Sequence, residues 1–157
     1  FIMAEKLTQE QQYAAHRWFA IECNNLCWDL TTAARTAEQN AEMLHAAHAA
    51  AFHWGRIGER IHHMRADLLL AHVHALLGMG NSALGYARSC HEYFTTHETA
   101  DWELAFSHAI LAQAAAASGN GALHASAYAD AEAALANIAD VEDRAIVAAT
   151  FALIPAP

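Results

Sequence analysis

A helical stretch that occurs twice decides the fold of this chain. The segment Leu68–Ala87, LLLAHVHALLGMGNSALGYA, is followed 41 residues later by Ala109–Tyr128, AILAQAAAASGNGALHASAY. The matching positions are Leu70 and Leu111, Ala71 and Ala112, and Gly78 and Gly119. A helical repeat of this length is typical of proteins built from stacked helix pairs. Stacked pairs usually form surfaces that hold other molecules, so the repeat predicts an architecture without naming a ligand.

The composition predicts helix along nearly the whole chain. Hydrophobic residues make up 55% of the 157 residues, and both prolines lie within the last three positions. Alanine, the best helix former, is abundant, and no segment alternates polar and β-branched residues as a strand would. We therefore expect an all-α fold in a single domain covering residues 1–157.

Charge and cysteine content narrow the classes of partner. The formal net charge is −9, which repels phosphate backbones and predicts no nucleic-acid partner and no polybasic contact with a membrane. No apolar run approaches the ~20 residues of a membrane span, and residues 1–6 lack the pattern of a signal peptide. Three cysteines do not form a disulfide framework, so we expect a cytoplasmic protein.

Capping residues and glycines divide the chain into about seven helices. The sequence predicts helix pairs over residues 8–54, 60–96 and 101–137, followed by a capping helix over residues 140–153. Thr8 is the expected N-cap of the first helix, and Gly55 and Gly58 are expected to form the turn after the second. Every connection is short, which predicts antiparallel neighbours.

The two repeats resemble tetratricopeptide (TPR) repeats, in which small residues recur at the helix contacts and glycine ends the first helix. The positions that carry the resemblance are Ala71, Gly78, Ala83, Ala87 and Cys90 in one copy, and Ala112, Gly119, His124, Tyr128 and Ala131 in the next. The period is 41 residues rather than the 34 of that family. The resemblance implies a right-handed superhelical stack whose first helices line a groove, which in that family often holds a peptide.

The N-terminal half is similar to a group of bacterial proteins of unassigned function. The segments Glu22–Trp28, His45–His48 and His53–Trp54 carry this similarity. It implies no activity.

A cluster of polar and aromatic residues is the first candidate site. If the second and third helices pair as a hairpin, His48 lies opposite Arg65, and the first helix adds further side chains to the same junction. The candidate ligand-binding residues are Glu22, Asn25, Trp28, His48, His53, Trp54 and Arg65. Such a set suits a small anionic or aromatic ligand, or else forms a buried polar network in which Arg65 pairs with Glu22 or Asp29.

The groove predicted from the TPR resemblance is the second candidate site. The residues expected to line it are Arg65, His72 and Gln113, and its many alanines would suit an apolar helix or a second copy of the chain. Two Glu-x-x-His segments, Glu42–His45 and Glu59–His62, are displaced by ~9 Å along the predicted hairpin, so they predict no shared metal site.

These patterns favour a non-catalytic module for protein–protein interaction that requires no cofactor. The alternative is a small-molecule-binding or metal-binding protein, an enzyme included, that uses the His/Trp/Arg cluster. We also expect a homodimer, with contacts around Phe151 and Leu153 or through the alanine-rich groove.

Overall fold

The computed structural model describes residues 6–157, and it contains seven helices and no strand within that range. The helices are α1 (Gln9–Thr32), α2 (Ala37–Ile57), α3 (Arg60–Leu76), α4 (Gly80–Thr96), α5 (Asp101–Ala117), α6 (Gly121–Ala136) and α7 (Val141–Phe151). The predicted all-α class is confirmed. Residues 1–5, on which the prediction about a signal peptide depends, lie outside the described part of the chain.

Side-chain caps fix the starts of several helices. The hydroxyl oxygens of Thr8 and Thr36 accept hydrogen bonds from the amides of Gln11 and Gln39, and the threonine amides donate to the side-chain oxygens of these glutamines. Asn120 and Asp140 cap α6 and α7 in the simpler way, through one side-chain oxygen. These polar residues satisfy amides that a helix start leaves without partners.

Two glycines end the first helices of the repeats in the same geometry. Gly78 and Gly119 have φ values of 71° and 74°, in the left-handed region. In both turns the next residue bonds to a carbonyl five positions back, Met79 to His74 at 2.8 Å and Asn120 to Ala115 at 2.9 Å. This is the Schellman arrangement, and glycine adopts it without a Cβ clash. The helix starts also recur 41 residues apart, at Arg60 and Asp101 and at Gly80 and Gly121.

The helices pack in adjacent pairs, in an arrangement compatible with a helical repeat. Each helix packs against the next one in the chain, and α1, α3, α5 and α7 also pack successively side by side. One buried cluster is formed mainly by α3 to α7, and a second joins α1, α2 and α3. Trp28 packs against both clusters, so it links the first pair to the repeats. No helix in the described range is long and apolar enough to cross a membrane.

Two predicted helix boundaries differ from the structure. α2 continues through Gly55 to Ile57 instead of ending at Trp54, because Gly55 tolerates the helix and the chain turns only at Gly58, whose amide bonds to the Trp54 carbonyl. The α2–α3 hairpin therefore pairs several residues later than expected. The sequence also predicts a turn over residues 78–82 and a helix from about Ala83, but α4 begins at Gly80, without a side-chain cap.

Candidate partner-binding groove

A groove of about 600 Å³ runs across the side-by-side helices α1, α3, α5 and α7. Its apolar lining includes Trp28, Leu68, Phe106 and Val147, with Trp102 at the start of α5. Ile146 of α7 also lines the groove and is 64% exposed, so this apolar surface is open to solvent. The groove is therefore a concave apolar surface of the kind that binds other molecules.

An ion pair joins the two repeats at the wall of the groove. Arg65 Nε of α3 donates to Glu103 Oε1 of α5 at 2.7 Å, and the other carboxylate oxygen accepts from the Ala100 amide at 3.2 Å. The Glu103 side chain is 3% exposed, whereas that of Arg65 is 45% exposed. The guanidinium carbon lies 5.8 Å from the ring centroid of Trp102. The buried carboxylate thus fixes one edge of an arginine that otherwise faces the groove.

The expected partners of Arg65 are wrong. Glu22 and Asp29 both lie on the exposed surface of α1, and the partner is Glu103 instead. α2 extends further than expected, so different residues of α2 and α3 face each other. α3 also packs against α5, which supplies the partner Glu103.

Beneath the groove a buried hydrogen bond joins equivalent positions of the two repeats. His72 Nδ1 and Gln113 Oε1 are 2.6 Å apart, and both residues are buried. Trp28 stacks on His72 with the ring centroids 5.5 Å apart, and it meets Phe106 edge-on at 5.4 Å. Burial lowers the pKa of His72 to about 4, so the ring is neutral at pH 7. His72 and Gln113 therefore support the groove from below, while Arg65 lines it.

The His/Trp/Arg cluster is distributed over separate contacts. His48 meets His74 edge-on at 5.4 Å, and His74 is nine residues beyond Arg65 on α3, ~13 Å along the axis. His53 contacts His16 of α1, with the two Nδ1 atoms 2.7 Å apart, and Trp54 stacks on His62 at 4.8 Å.

Of the seven predicted cluster residues, Trp28 and Arg65 are the two that line the groove. Glu22 and Asn25 are exposed on α1. Asn25 accepts a hydrogen bond from the neighbouring Asn24, which itself lines the groove.

Acidic side chains lie on both sides of the groove. Asp29 of α1 and Asp143 of α7 line it, and neither has an ion-pair partner among residues 6–157. Desolvation and the neighbouring carboxylates of Asp140, Asp101 and Glu142 raise the pKa of Asp143. Since Arg65 is already paired with Glu103, the groove carries an excess of negative charge.

The described residues contain no group of three or more His, Cys, Asp or Glu side chains that could hold a metal ion. Within that range two histidine pairs have ring nitrogens at hydrogen-bond distance, His16 with His53 and His91 with His108, the latter 3.0 Å apart. Burial lowers the pKa of His53, His91 and His108, and the adjacent ring of each pair adds to this for His53 and His91. These pairs join α1 to α2 and α4 to α5, so their geometry is that of contacts between helices.

Trp102, Glu103 and Phe106 line the groove but were not predicted from the sequence, although the length of the repeat gives an indication of their position. Residues separated by about one repeat lie side by side on α3 and α5, as His72 and Gln113 do. Glu103 follows Arg65 by 38 residues, so the repeat length could have identified it as a neighbour.

Comparisons with known proteins identify no relative. No protein-family model, no curated protein and no solved structure matches the chain.

Proposed function

We propose that this protein is a non-catalytic, TPR-like module of the cytoplasm that binds a segment of a partner protein in the groove formed by α1, α3, α5 and α7. The observation that carries the proposal is the apolar groove itself, with Trp28, Trp102 and Phe106 along it and the exposed Ile146 at its edge. Large aromatic side chains supply much of the binding energy at protein interfaces.

The arrangement of the groove also suits a protein that binds a partner without catalysing a reaction. The Arg65–Glu103 and His72–Gln113 pairs hold α3 against α5, so the surface is fixed before a partner arrives. A preformed site avoids part of the entropic cost of association. The alternative, a small-molecule or metal site at the His48, His53 and Trp54 junction, has less support because each of these side chains contacts a different neighbour.

A pair of tryptophan variants on α7 tests whether the groove is the binding surface. Ala149 lines the groove and Ala145 is exposed on the same helix outside its lining, so Ala149→Trp fills the groove while Ala145→Trp adds the same bulk elsewhere. Peptides are selected from a random displayed library against the unsubstituted protein. We expect the selected peptides to lose binding to Ala149→Trp and to keep it with Ala145→Trp. Peptides that bind both variants equally would place the interaction elsewhere and contradict the proposal.

We also propose that the protein forms a homodimer through the exposed face of the first helix pair. Phe19 and Phe52 are 45% and 54% exposed there, and both rings contact His53. Glu22 lies one turn from Phe19, and Arg56 lies over the Phe52 ring at 4.9 Å. A face with an apolar centre and both signs of charge is self-complementary under a two-fold axis, with Glu22 of one copy near Arg56 of the other.

The face expected from the sequence serves as the control for the dimer. Phe151 packs against Tyr128 at 4.6 Å, whereas Leu153 remains exposed. Sedimentation equilibrium is expected to show that the unsubstituted protein is a dimer. The double variant Phe19→Ser/Phe52→Ser should be a monomer, and Leu153→Ser should remain a dimer. The reverse pattern would move the contact to the C-terminal end, and a monomeric unsubstituted protein would contradict self-association.

A further inference from the structure

The groove combines an apolar floor with carboxylates on two opposite sides. α3 and α5 form the floor, and α1 and α7 flank it, with Asp29 on one flank and Asp143 on the other. Asp101, Asp140 and Glu142 lie close enough to Asp143 to repel its charge. Among residues 6–157, Arg65 is the one cation that lines the groove, and it already bonds to Glu103. A positively charged occupant would therefore relieve repulsion between like charges on the flank formed by α7.

The polar groups of the groove favour a helical occupant over an extended one. An extended peptide brings unpaired backbone amides and carbonyls into the site, and these need partners when water is displaced. In the described part of the chain, the uncharged polar groups of the lining are Asn24, Thr32, Thr150 and the indole N–H groups of Trp28 and Trp102, too few to pair with an extended backbone. A helix satisfies its own backbone hydrogen bonds, so it can cover an apolar surface without leaving backbone amides and carbonyls unpaired.

We propose that the occupant of the groove is a basic amphipathic helix of a partner protein, with its apolar face on Trp28, Trp102 and Ile146 and its Lys or Arg side chains directed toward Asp29 and Asp143. This proposal rests on the proposed function, since it specifies what the same groove binds. The two aspartates belong to α1 and α7, which lie on either side of α3 and α5.

Synthetic peptides test the charge and the helicity separately. Three labelled peptides of about five helical turns, roughly 18 residues, are compared by fluorescence anisotropy. One places Leu and Lys on opposite helix faces, one replaces each Lys by Glu, and one scrambles the Leu/Lys sequence so that no apolar face forms. We expect the amphipathic Leu/Lys peptide to bind, and the other two to bind at least about tenfold more weakly.

Matched charge variants locate the interaction in the groove. Asp29→Asn/Asp143→Asn removes two charges from the groove, and Glu42→Gln/Glu132→Gln removes two from exposed positions on α2 and α6. We expect the first variant to weaken binding of the Leu/Lys peptide by about tenfold and the second to leave it about unchanged. Circular dichroism checks that each variant keeps its helices, and the Leu/Glu peptide tests the charge preference on the unsubstituted protein.

The outcomes separate this proposal from the one on which it rests. Equal weakening by both double variants, or equal binding of the amphipathic and scrambled Leu/Lys peptides, would show unspecific attraction to an acidic protein and overturn the basic helix. If Ala149→Trp blocks selected peptides but Leu/Glu binds as tightly as Leu/Lys, the groove is a peptide site and the charge preference is wrong. If Ala149→Trp blocks nothing, both proposals fail.

Discussion

Gly80 and Gly121 occupy the same position in successive repeats, yet glycine is required there in only one of them. A Cβ on Gly80 would lie 2.3 Å from the carbonyl oxygen of Ala117 and 2.5 Å from the Cα of Ser118. A Cβ on Gly121 would meet nothing within 4 Å. Both glycines begin the second helix of their repeat, and neither has a positive φ.

The difference shows that the steric demand at this position comes from the following repeat. The start of α4 packs against the end of α5, so Gly80 allows two backbones to approach closely. Within the described residues the element after α6 is the much shorter α7, which packs against α5 and α6. A repeated residue can thus be structurally essential inside a stack and replaceable at its end.

The largest effect is expected for Gly80→Ala. The clash is with backbone atoms, which cannot move aside as a flexible side chain would, so α4 and α5 must separate. We expect the free energy of unfolding to fall by about 3 kcal/mol, measured by urea denaturation. The matched control is Gly121→Ala, which should leave stability within about 0.5 kcal/mol of the unsubstituted protein. Similar losses of unfolding free energy in the two variants would show that the position within a repeat, and not the contact with a neighbouring repeat, determines the size of the loss.

Arg65→Ala is expected to have the next largest effect, because the Arg65–Glu103 pair also joins the two repeats. Removal of the guanidinium leaves the buried Glu103 carboxylate with only the Ala100 amide as a partner. We expect a loss of about 2 kcal/mol, less than for a fully buried pair because Arg65 is partly exposed.

A double-mutant cycle tests that explanation. Arg65→Ala/Glu103→Gln removes both charges, so it should recover part of the stability lost in Arg65→Ala. Arg17→Ala, on the exposed surface of α1, is the control and should have little effect. Additive losses in the cycle would mean that the two side chains do not depend on each other.

Acid is expected to weaken the contact between the repeats through His72. Burial lowers its pKa from the ordinary 6.5 to about 4 in the folded state. The unfolded chain therefore binds a proton more readily, so the stabilising contribution is fully present above pH 6.5 and is lost as the pH falls from 6.5 toward 4. At pH 5 the expected loss is about 2 kcal/mol.

The measurement is the melting temperature as a function of pH. His72→Gln should reduce the acid-dependent decrease, whereas His97→Gln, at the exposed end of α4, should preserve it. The pKa values of His48, His53, His91 and His108 are also lowered and act in the same direction, so part of the decrease will remain in His72→Gln. Identical pH profiles for His72→Gln and the unsubstituted protein would rule out His72 as a source of the effect.

The repeated part of the fold was predictable because local chemistry and packing agree there. Gly78, Gly119 and the threonine caps act on their own backbone, so the sequence alone indicates where those helices begin or end. Gly55 was misleading, because a glycine inside a helix costs only about 1 kcal/mol and tertiary packing can offset that cost. α2 therefore continues past it, and the expected pairing with α3 shifts.

That shift explains why the candidate site was predicted only in part. Trp28 and Arg65 line the groove, and the packing of α1, α3 and α5 determines their positions. His48 and His53 were placed by the α2–α3 register, and a change of a few residues moves a helical side chain to another face. The groove residues on α5 and α7 depend on contacts distant in sequence, and only the repeat length indicates some of them.

Among the substitutions expected to destabilise the fold, those at the turn glycines have the smallest effects, and there the two repeats should behave alike. Gly78 and Gly119 share φ values near 70°, and a Cβ on either would meet nothing within 4 Å. Alanine at either position is therefore destabilising only because of its unfavourable positive φ, which lowers the free energy of unfolding by about 1 kcal/mol in each case. Urea denaturation of Gly78→Ala and Gly119→Ala should give equal losses, in contrast to the unequal losses at Gly80 and Gly121. A clearly larger loss at Gly78 would mean that the turn of the first repeat, like the start of its second helix, is constrained by the packing of the following repeat.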